Sequence, residues 1–323
     1  MRYSQSEKME IIRIVEQSEI GVTRTLLELG IPKSTFYKWY GRYKEYGYDG
    51  LTQSKKQQRR FWNQLPPWER DRVVEIALER PELSPRELAH YITDHERWFI
   101  SESTVYRILK AKGLVTSPAY IVMAASDSFR DKTNRVHQMW QTDFTYFKVL
   151  YWGQYFLSTI LDDYSRYIIH WELCSSMTEK DVERSVVQAL DKAGLKKCER
   201  PKLLSDNGPC YKANELKQFL KDHGIEQING RPYHPQTQGK IERYHRSMKN
   251  VVKLDNYYSP DQLRARIHEW VEYYNHERYH ESLDNLKPAD VYFGKAERIL
   301  KQRKRTKEKT ILKRRRINQI ELN

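Results

Sequence analysis

Cysteine is scarce in this sequence, and long hydrophobic runs are missing altogether. The three cysteines, Cys174, Cys198 and Cys210, lack the paired spacing of a zinc finger or of a disulfide scaffold. No apolar run approaches the roughly 18 residues that a membrane-spanning helix needs. The first residues also lack the apolar segment of a secretory signal. We therefore expect a protein of a reducing compartment with no membrane association.

Acidic residues are outnumbered, and the imbalance is confined to the two ends of the chain. The 323 residues include 57 Lys and Arg against 43 Asp and Glu, a formal net charge of +14. Residues 1–62 carry a net charge of +5, residues 295–323 carry +9, and residues 63–294 are neutral. This segregation favours a polyanionic partner such as nucleic acid. The alternative is a basic tail that is merely solvated.

The first 53 residues have the pattern of a helix-turn-helix domain. A helix predicted from Val22 is followed by a turn at Leu29–Pro32 and by a second helix from Lys33. The second helix of such a motif enters the major groove of DNA. The residues predicted to face DNA are Ser34, Thr35, Tyr37 and Lys38. A plain three-helix bundle without a ligand is the alternative.

A second helical unit follows a basic linker, residues 54–62, and occupies residues 63–116. Ser84 and Glu87 predict a capping box at one helix start. The segment Ser101–Arg107 loosely repeats the sequence around Thr35, so we predict a second helix-turn-helix domain, winged or simple. Two such units in tandem favour DNA binding more than either alone. The residues predicted to face DNA are Ser103, Thr104 and Arg107.

The central part of the chain has the pattern of an α/β domain. After a connector, residues 117–134, the predicted order in residues 135–293 is three strands, helix, strand, helix, strand. That order suits a mixed sheet with helices on its faces. Residues 294–323 are predicted to be a basic C-terminal tail.

Three carboxylates in this domain occupy unusual places. Asp143 lies within an apolar strand, where a charge is costly unless it is paired or bound to a metal. Asp206 ends a short strand, a frequent position for functional residues in α/β sheets. Glu242 lies in the first turn of a helix that carries Arg246 and Lys249 on the same face. The structural alternatives are a hydrogen-bonded Asp, an Asp-Asn-Gly turn and ordinary helix-dipole pairing.

The sequences around these carboxylates are WQTDFTYF, LLSDNGPCY and HPQTQGKIERYHRSMK, with 35 residues between Asp206 and Glu242. Together they resemble the D, D, 35, E triad of the integrase and transposase superfamily, and most closely insertion-sequence transposases of the IS3/IS481 type. The resemblance implies an RNase H-like catalytic domain in which Asp143, Asp206 and Glu242 hold two Mg²⁺ ions, with Mn²⁺ able to substitute. Hard oxygen donors suit these ions better than zinc. The chain lacks the His-His-Cys-Cys zinc spacing that precedes this domain in retroviral integrases.

The resemblance also implies an activity and its partners. Water cleaves a phosphodiester at the end of a mobile element, and the released 3′-OH then joins to target DNA. The implied partners are double-stranded DNA, as terminal inverted repeats and as target, and further copies of the chain, in a bacterial cytoplasm near the nucleoid. Asn207 is expected to orient Asp206, while Asp162 and Asp163 are interpreted as turn residues. The residues expected to contact DNA near the reacting phosphate are His234, Gln238, Lys240, Arg243, Arg246 and Lys249.

Three other functions compete with this interpretation. A regulator derived from a transposase is disfavoured because all three carboxylates are present. A nuclease of ribonuclease H type is disfavoured because it needs no tandem DNA-binding units. A phage or plasmid integrase of the same chemistry is not separated from a transposase by the sequence.

Overall fold

The computed structural model describes residues 3–18, 20–52, 62–115, 133–196, 199–229 and 239–320. The chain divides into two units, Met1–Gln64 and Leu65–Asn323. Within the described ranges, no helix is both long and apolar enough to cross a membrane.

The first unit confirms the predicted order of helix, turn and helix. Its helices are α1 (Gln5–Gln17), α2 (Val22–Glu28) and α3 (Lys33–Tyr46), with a 3₁₀ turn at Gly47–Leu51. Ser4 caps α1 through a capping box with Glu7. Ile12, Leu26 and Phe36 are buried in one core, so each of the three helices contributes to it.

The second unit begins with three helices of its own. They are α4 (Pro67–Glu79), α5 (Pro85–Tyr91), which continues as one π-helical turn at Ile92–Glu96, and α6 (Glu102–Ala111). The predicted capping box of Ser84 and Glu87 is present at the start of α5. Residues 62–115 contain helices and no strand.

A five-stranded sheet follows, and it confirms the predicted mixed α/β order. Its strands are β1 (Met139–Val149), β2 (Gly153–Asp162), β3 (Ile168–Cys174), β4 (Lys202–Ser205) and β5 (Gln227–Asn229), arranged in space as β3-β2-β1-β4-β5. β2 is antiparallel to β1 and β3, whereas β4 runs parallel to β1 and β5. The three long strands therefore form a meander, and the two short strands extend it beyond β1.

Helices cover both faces of this sheet. One face packs against α7 (Glu179–Ala193), α8 (Pro209–Lys212) and α9 (Asn214–Asp222), around a core that includes Trp140 and Val186. The other face packs against α10 (Gly239–Val252) and α11 (Pro260–His276), around Leu161, Ile241 and Ile267. The second of these cores holds α10 against β1, and this contact positions the site described below.

The segment predicted to be a basic tail is a helix, and it packs against the first helices of this unit. After α12 (Pro288–Tyr292), α13 runs through Ala296–Ile320. Arg314 of α13 pairs with Glu69 of α4 at 2.8 Å, and both side chains are buried. Arg303 pairs with Asp94 at 2.6 Å. The predicted domains 63–116 and 135–293 therefore lie in one unit, connected through α13.

Candidate active site

The sheet register brings Asp143 and Asp206 next to each other. The last pair between the parallel strands β1 and β4 is Gln141 with Leu204. Asp143 and Asp206 each lie two residues beyond that pair, Asp143 within β1 and Asp206 directly after the end of β4. Glu242 approaches from the first turn of α10, which packs across this part of β1.

The three carboxylates influence one another electrostatically. Burial raises the pKa of Asp206, and the negative charge of Asp143 raises it further. Burial also raises the pKa of Glu242, again with a contribution from Asp143. The charge of Arg246 opposes this increase without cancelling it. Asp143 is thus the member of the group whose charge acts on both of the others.

Asp143 is held in place by a histidine that the sequence analysis did not identify. Thr159 of β2 lies directly opposite Asp143 in the antiparallel register. His245 Nδ1 lies 3.2 Å from Asp143 Oδ2, and His245 Nε2 lies 3.2 Å from the Thr159 hydroxyl. The neutral tautomer with its proton on Nδ1 satisfies both contacts, because Nδ1 donates to the carboxylate and Nε2 accepts from the hydroxyl. The available signal was the position of His245 three residues after Glu242, one helical turn away.

Asp206 is oriented by the backbone of the turn that follows it. The Gly208 N–H donates to Asp206 Oδ1 at 2.9 Å. A β-carbon at position 208 would lie 3.0 Å from that same oxygen, closer than such atoms normally approach. Gly208 therefore leaves room for the carboxylate as well as donating to it. The orienting role that we predicted for Asn207 stays a prediction.

Two acidic residues beside the triad have structural roles, as interpreted from the sequence. Asp162 Oδ2 accepts hydrogen bonds from the Ser165 amide and hydroxyl, and Asp162 Oδ1 accepts from the His137 amide. Asp163 accepts from Lys240, whose Nζ lies 2.5 Å from Oδ2 and 2.9 Å from the Asp163 carbonyl. Lys240, which we predicted to contact DNA, is therefore engaged within the protein at the start of α10.

Other predicted residues of the catalytic domain share one groove. Asp143, Glu242, Arg246 and Lys249 all line it. Arg243 is exposed and lies close enough to lower the pKa of Glu242, although burial dominates that pKa. The predicted DNA contacts His234 and Gln238 lie outside the described residues. Within the described part of the chain, no three His, Cys, Asp or Glu side chains are already spaced to hold a metal ion.

The DNA-facing residues predicted in the helical units lie on accessible surfaces. In α3, Ser34, Tyr37 and Lys38 are exposed and Thr35 is half-buried. The intervening Phe36 is buried in the core. In α6, Ser103 and Arg107 are exposed, and the Arg107 guanidinium donates to the half-buried Thr104 hydroxyl at 3.3 Å.

Family models match most of the chain in separate segments. Two models described as integrase core domain match residues 133–235 and 223–288. Two models described as homeodomain-like domain match residues 2–52 and 35–109.

Curated relatives are similar over less than half of this chain. The transposase InsK for insertion sequence element IS150 of Escherichia coli (strain K12) is 30% identical over 45% of this chain and 50% of its own length. The Gag-Pol polyprotein of bovine immunodeficiency virus (strain R29) is 27% identical over 49% of this chain and 10% of its own length. The chain therefore spans half the length, or less, of these two relatives.

A solved structure gives a weaker likeness. The catalytic core domain of BIV integrase is 24% identical, covers 49% of this chain and 95% of its own, and has a TM-score of 0.39. The two integrase core models, together with the mixed sheet, account for residues 133–288. The chain thus carries an RNase H-like integrase core domain preceded by homeodomain-like helical segments, and it is similar to an insertion-sequence transposase of Escherichia coli.

Proposed function

We propose that this chain is a DDE transposase, which cleaves the ends of its mobile element and joins them to target DNA. The observation that carries the proposal is that the charge of Asp143 acts on both Asp206 and Glu242. Asp143 and Glu242 also line a groove that contains Arg246 and Lys249. Acidic residues bind the catalytic ions in such a site, while the basic residues neutralise phosphates.

The three carboxylates fit Mg²⁺ or Mn²⁺ by their chemistry. They are hard oxygen donors, and the like charge of Asp143 helps to raise the pKa of both partners, a repulsion that a bound cation relieves. We propose that Asp143, Asp206 and Glu242 would together hold two such ions. When bound, the ions supply a more acidic attacking oxygen and neutralise the leaving oxygen. Glu242 is the exposed member of the three and has the longest side chain, so it is the one free to adjust.

The proposed reaction has two steps, hydrolysis at the element end and transfer of the released strand to target DNA. Water attacks a phosphodiester at the element end, the bond from phosphorus to the 3′-oxygen breaks, and that oxygen leaves as a 3′-OH while the 5′ side keeps the phosphate. The 3′-OH then attacks a target phosphodiester, so that one phosphodiester forms as another breaks. Neither step needs a protein nucleophile. Burial raises the pKa of Cys174 and of Cys210 to about 11, so both thiols are protonated at neutral pH.

The helical units supply the proposed recognition of the element ends. The exposed residues of α3 and α6, Ser34, Tyr37, Lys38, Ser103 and Arg107, would contact duplex DNA together with Thr35 and Thr104, while Arg243, Arg246 and Lys249 would contact the strand near the reacting phosphate. Joining two ends in one event requires two catalytic sites, so we propose that several copies of the chain assemble on DNA.

A strand-transfer assay tests this function. The full chain is mixed with labelled DNA ends from the borders of its own gene and with a plasmid target, in Mg²⁺, in chelator and with Asp206→Asn. Joined product that requires metal and disappears in Asp206→Asn is expected. Tight, sequence-specific binding of the ends without cleavage in Mg²⁺ or Mn²⁺ would replace the proposal by that of a DNA-binding regulator.

A further inference from the structure

One edge of β1 is left without a strand beside the active site. β2 pairs with β1 from Trp140 to Val149, whereas β4 pairs with it only from Met139 to Gln141. Beyond Asp143, therefore, β1 has a neighbouring strand in the described structure on one side only. A groove of about 760 Å³ lies between α10 and the part of β1 that runs from Asp143 to Tyr146.

The two walls of this groove have different chemistry. The strand wall is formed by consecutive residues from Asp143 to Tyr146, and the helix wall continues from Glu242 to Lys253. Carboxylates lie at one end only. Along the helix wall, cations recur at one face through Arg246, Lys249 and Lys253, in steps of three and four residues. The groove thus begins at the catalytic carboxylates and continues as a row of positive charge.

An aromatic ring stands opposite these cations. Lys249 Nζ lies 4.9 Å from the centre of the Tyr146 ring, and 56% of the Tyr146 side chain is exposed. Burial lowers the pKa of Lys249, and the charge of Lys253 lowers it further. The charge of Asp143 opposes this lowering, but Asp143 is already paired with His245. Two like charges are therefore held close together beside an exposed ring, an arrangement that a bound anion would relieve.

We propose that this groove holds an unpaired stretch of the DNA strand that continues from the reacting phosphate, with a base stacked on Tyr146 and phosphates on Arg246, Lys249 and Lys253. Exposed aromatic rings beside basic residues bind single strands by stacking, whereas a duplex keeps its bases stacked on one another. The inference rests on the proposed function for the identity of the strand. It adds that the DNA end must be melted to be bound.

The length of the groove limits how much strand it holds. Glu242 and Lys253 are 11 positions apart in a helix and its first following turn, which corresponds to about 16 Å at 1.5 Å per residue. That is about five nucleotides at the rise of one strand in a duplex, roughly 3.4 Å each, and fewer if the strand is extended.

Binding measurements on the full chain test this inference without catalysis. The probes are a blunt duplex and the same duplex with five unpaired thymidines on the strand that reacts, both in chelator. Tyr146→Ala is expected to weaken binding of the tailed duplex by about 5- to 150-fold, the range for loss of one stacked base, and to leave the blunt duplex unchanged. Tyr146→Phe, which keeps the ring, is expected to bind both probes normally.

Two further measurements separate stacking from charge. Lys249→Gln is expected to reduce the slope of log K against log salt by about 0.7 for the tailed probe, the value for one phosphate contact in a single strand. A 5-iodouracil placed in the tail is expected to crosslink to Tyr146 on irradiation. Tyr151→Ala is the matched control, because Tyr151 is a 97% exposed aromatic residue on the turn after β1 and is not part of the groove.

The inference is overturned if Tyr146→Ala weakens both probes equally, weakens neither, or leaves the crosslink in place. Free oligothymidine and an uncharged extended peptide can each be added as a competitor of the tailed probe. If the peptide displaces the probe and oligothymidine does not, the groove is a peptide site on the edge of β1. Failure of strand transfer alone would count against the proposed function and not against the groove, since these measurements involve no cleavage.

Discussion

His245 shows how a residue outside the triad can determine the geometry of the triad. Its imidazole bridges Thr159 and Asp143, which face each other across β1 and β2. Because the ring is buried on α10, it connects the helix of Glu242 to the strand of Asp143. Removing it would leave Asp143 able to rotate and would open a cavity beneath α10.

We therefore predict that His245→Ala lowers strand joining by about 10- to 100-fold, the usual effect of losing a residue that orients a metal-binding carboxylate. The Mn²⁺ concentration that gives half-maximal joining should rise as well, because the carboxylate is no longer pre-oriented. His245→Asn, which can still donate a hydrogen bond toward Asp143, should recover part of both effects.

His268→Ala is the matched control for that prediction, since His268 is exposed on α11. Thermal unfolding of each variant distinguishes orientation from loss of fold. If His245→Ala joined strands normally with an unchanged metal requirement, the orienting role would be wrong.

At the scale of elements, Arg314 and Glu69 form the most buried link between α13 and α4. They lie 2.8 Å apart, with 9% and 2% of their side chains exposed. Burial raises the pKa of Glu69 despite the opposing charge of Arg314, so desolvation outweighs the attraction within the pair. We predict that Arg314→Met alone destabilises the second unit by about 3–5 kcal/mol, because it leaves a buried carboxylate without its partner.

The double variant Glu69→Leu with Arg314→Met should regain most of that stability, since it removes both charges together. Urea unfolding, monitored by tryptophan fluorescence, measures both. Equal destabilisation in the single and double variants would mean that the pair contributes through packing and not through charge.

The exposed face of α13 is basic, and we predict that it contacts DNA phosphates. Most of its basic residues are exposed, whereas Arg303 and Arg314 are paired with carboxylates and are not available to DNA. If α13 neutralises about six phosphates, the slope of log K for DNA binding against log salt is about −5. Changing Lys304, Arg305 and Lys309 to Gln should make that slope less negative by about 2.7, with α13 still folded.

The control for this charge removal changes Lys180, Lys217 and Lys221 to Gln. These lysines are exposed on α7 and α9, and the control variant loses the same total charge as the α13 variant. Salt titrations of binding to a duplex of arbitrary sequence give both slopes. A similar change in both variants would indicate a general effect of net charge and would rule out a specific contact through α13.

α13 also shows where prediction from the sequence stopped. α7 was predictable as a helix, because Val182, Val186 and Ala189 repeat at helical spacing and are all buried. The buried face of α13 instead contains Thr306, Thr310, Arg314 and Asn318. A polar packing face gives no hydrophobic period, so the segment was predicted as a tail. The contacts that stabilise it, such as Thr310 Oγ1 with the Phe99 amide at 2.9 Å, join residues 211 positions apart.

In the candidate site, too, some residues could be predicted from the sequence and others could not. Asp143, Asp206 and Glu242 could be predicted because their local sequences resemble a family, and the Glu242 helix could be predicted from its pattern. The partners of these residues depend on tertiary register. Thr159 meets Asp143 only because β2 is antiparallel at that register. Tyr146 becomes accessible only because β4 ends early.

At the scale of the whole molecule, buried histidines couple folding to pH. Burial lowers the pKa of His170 to about 4 and that of His280 to about 3, while an unfolded histidine titrates near 6.5. Above pH 6.5 neither state binds a proton there, and stability does not depend on these groups. Below pH 6.5 the unfolded chain binds protons that the folded chain excludes, so stability falls as the pH falls.

We predict that each of these histidines lowers the free energy of unfolding by about 1.4 kcal/mol for every pH unit by which the pH falls, from pH 6 down to the pKa of that histidine in the folded chain. Urea midpoints at pH 7.0, 6.0 and 5.0 measure the effect. His170→Leu should reduce the loss at low pH without destabilising the protein at pH 7.0, because both ring nitrogens of His170 are buried without a hydrogen-bond partner among the described residues. His276→Leu, at an exposed position on α11, should leave the pH dependence unchanged. Equal midpoints at pH 7.0 and 5.0, or the same loss in His170→Leu as in the parent chain, would show that other groups govern acid unfolding.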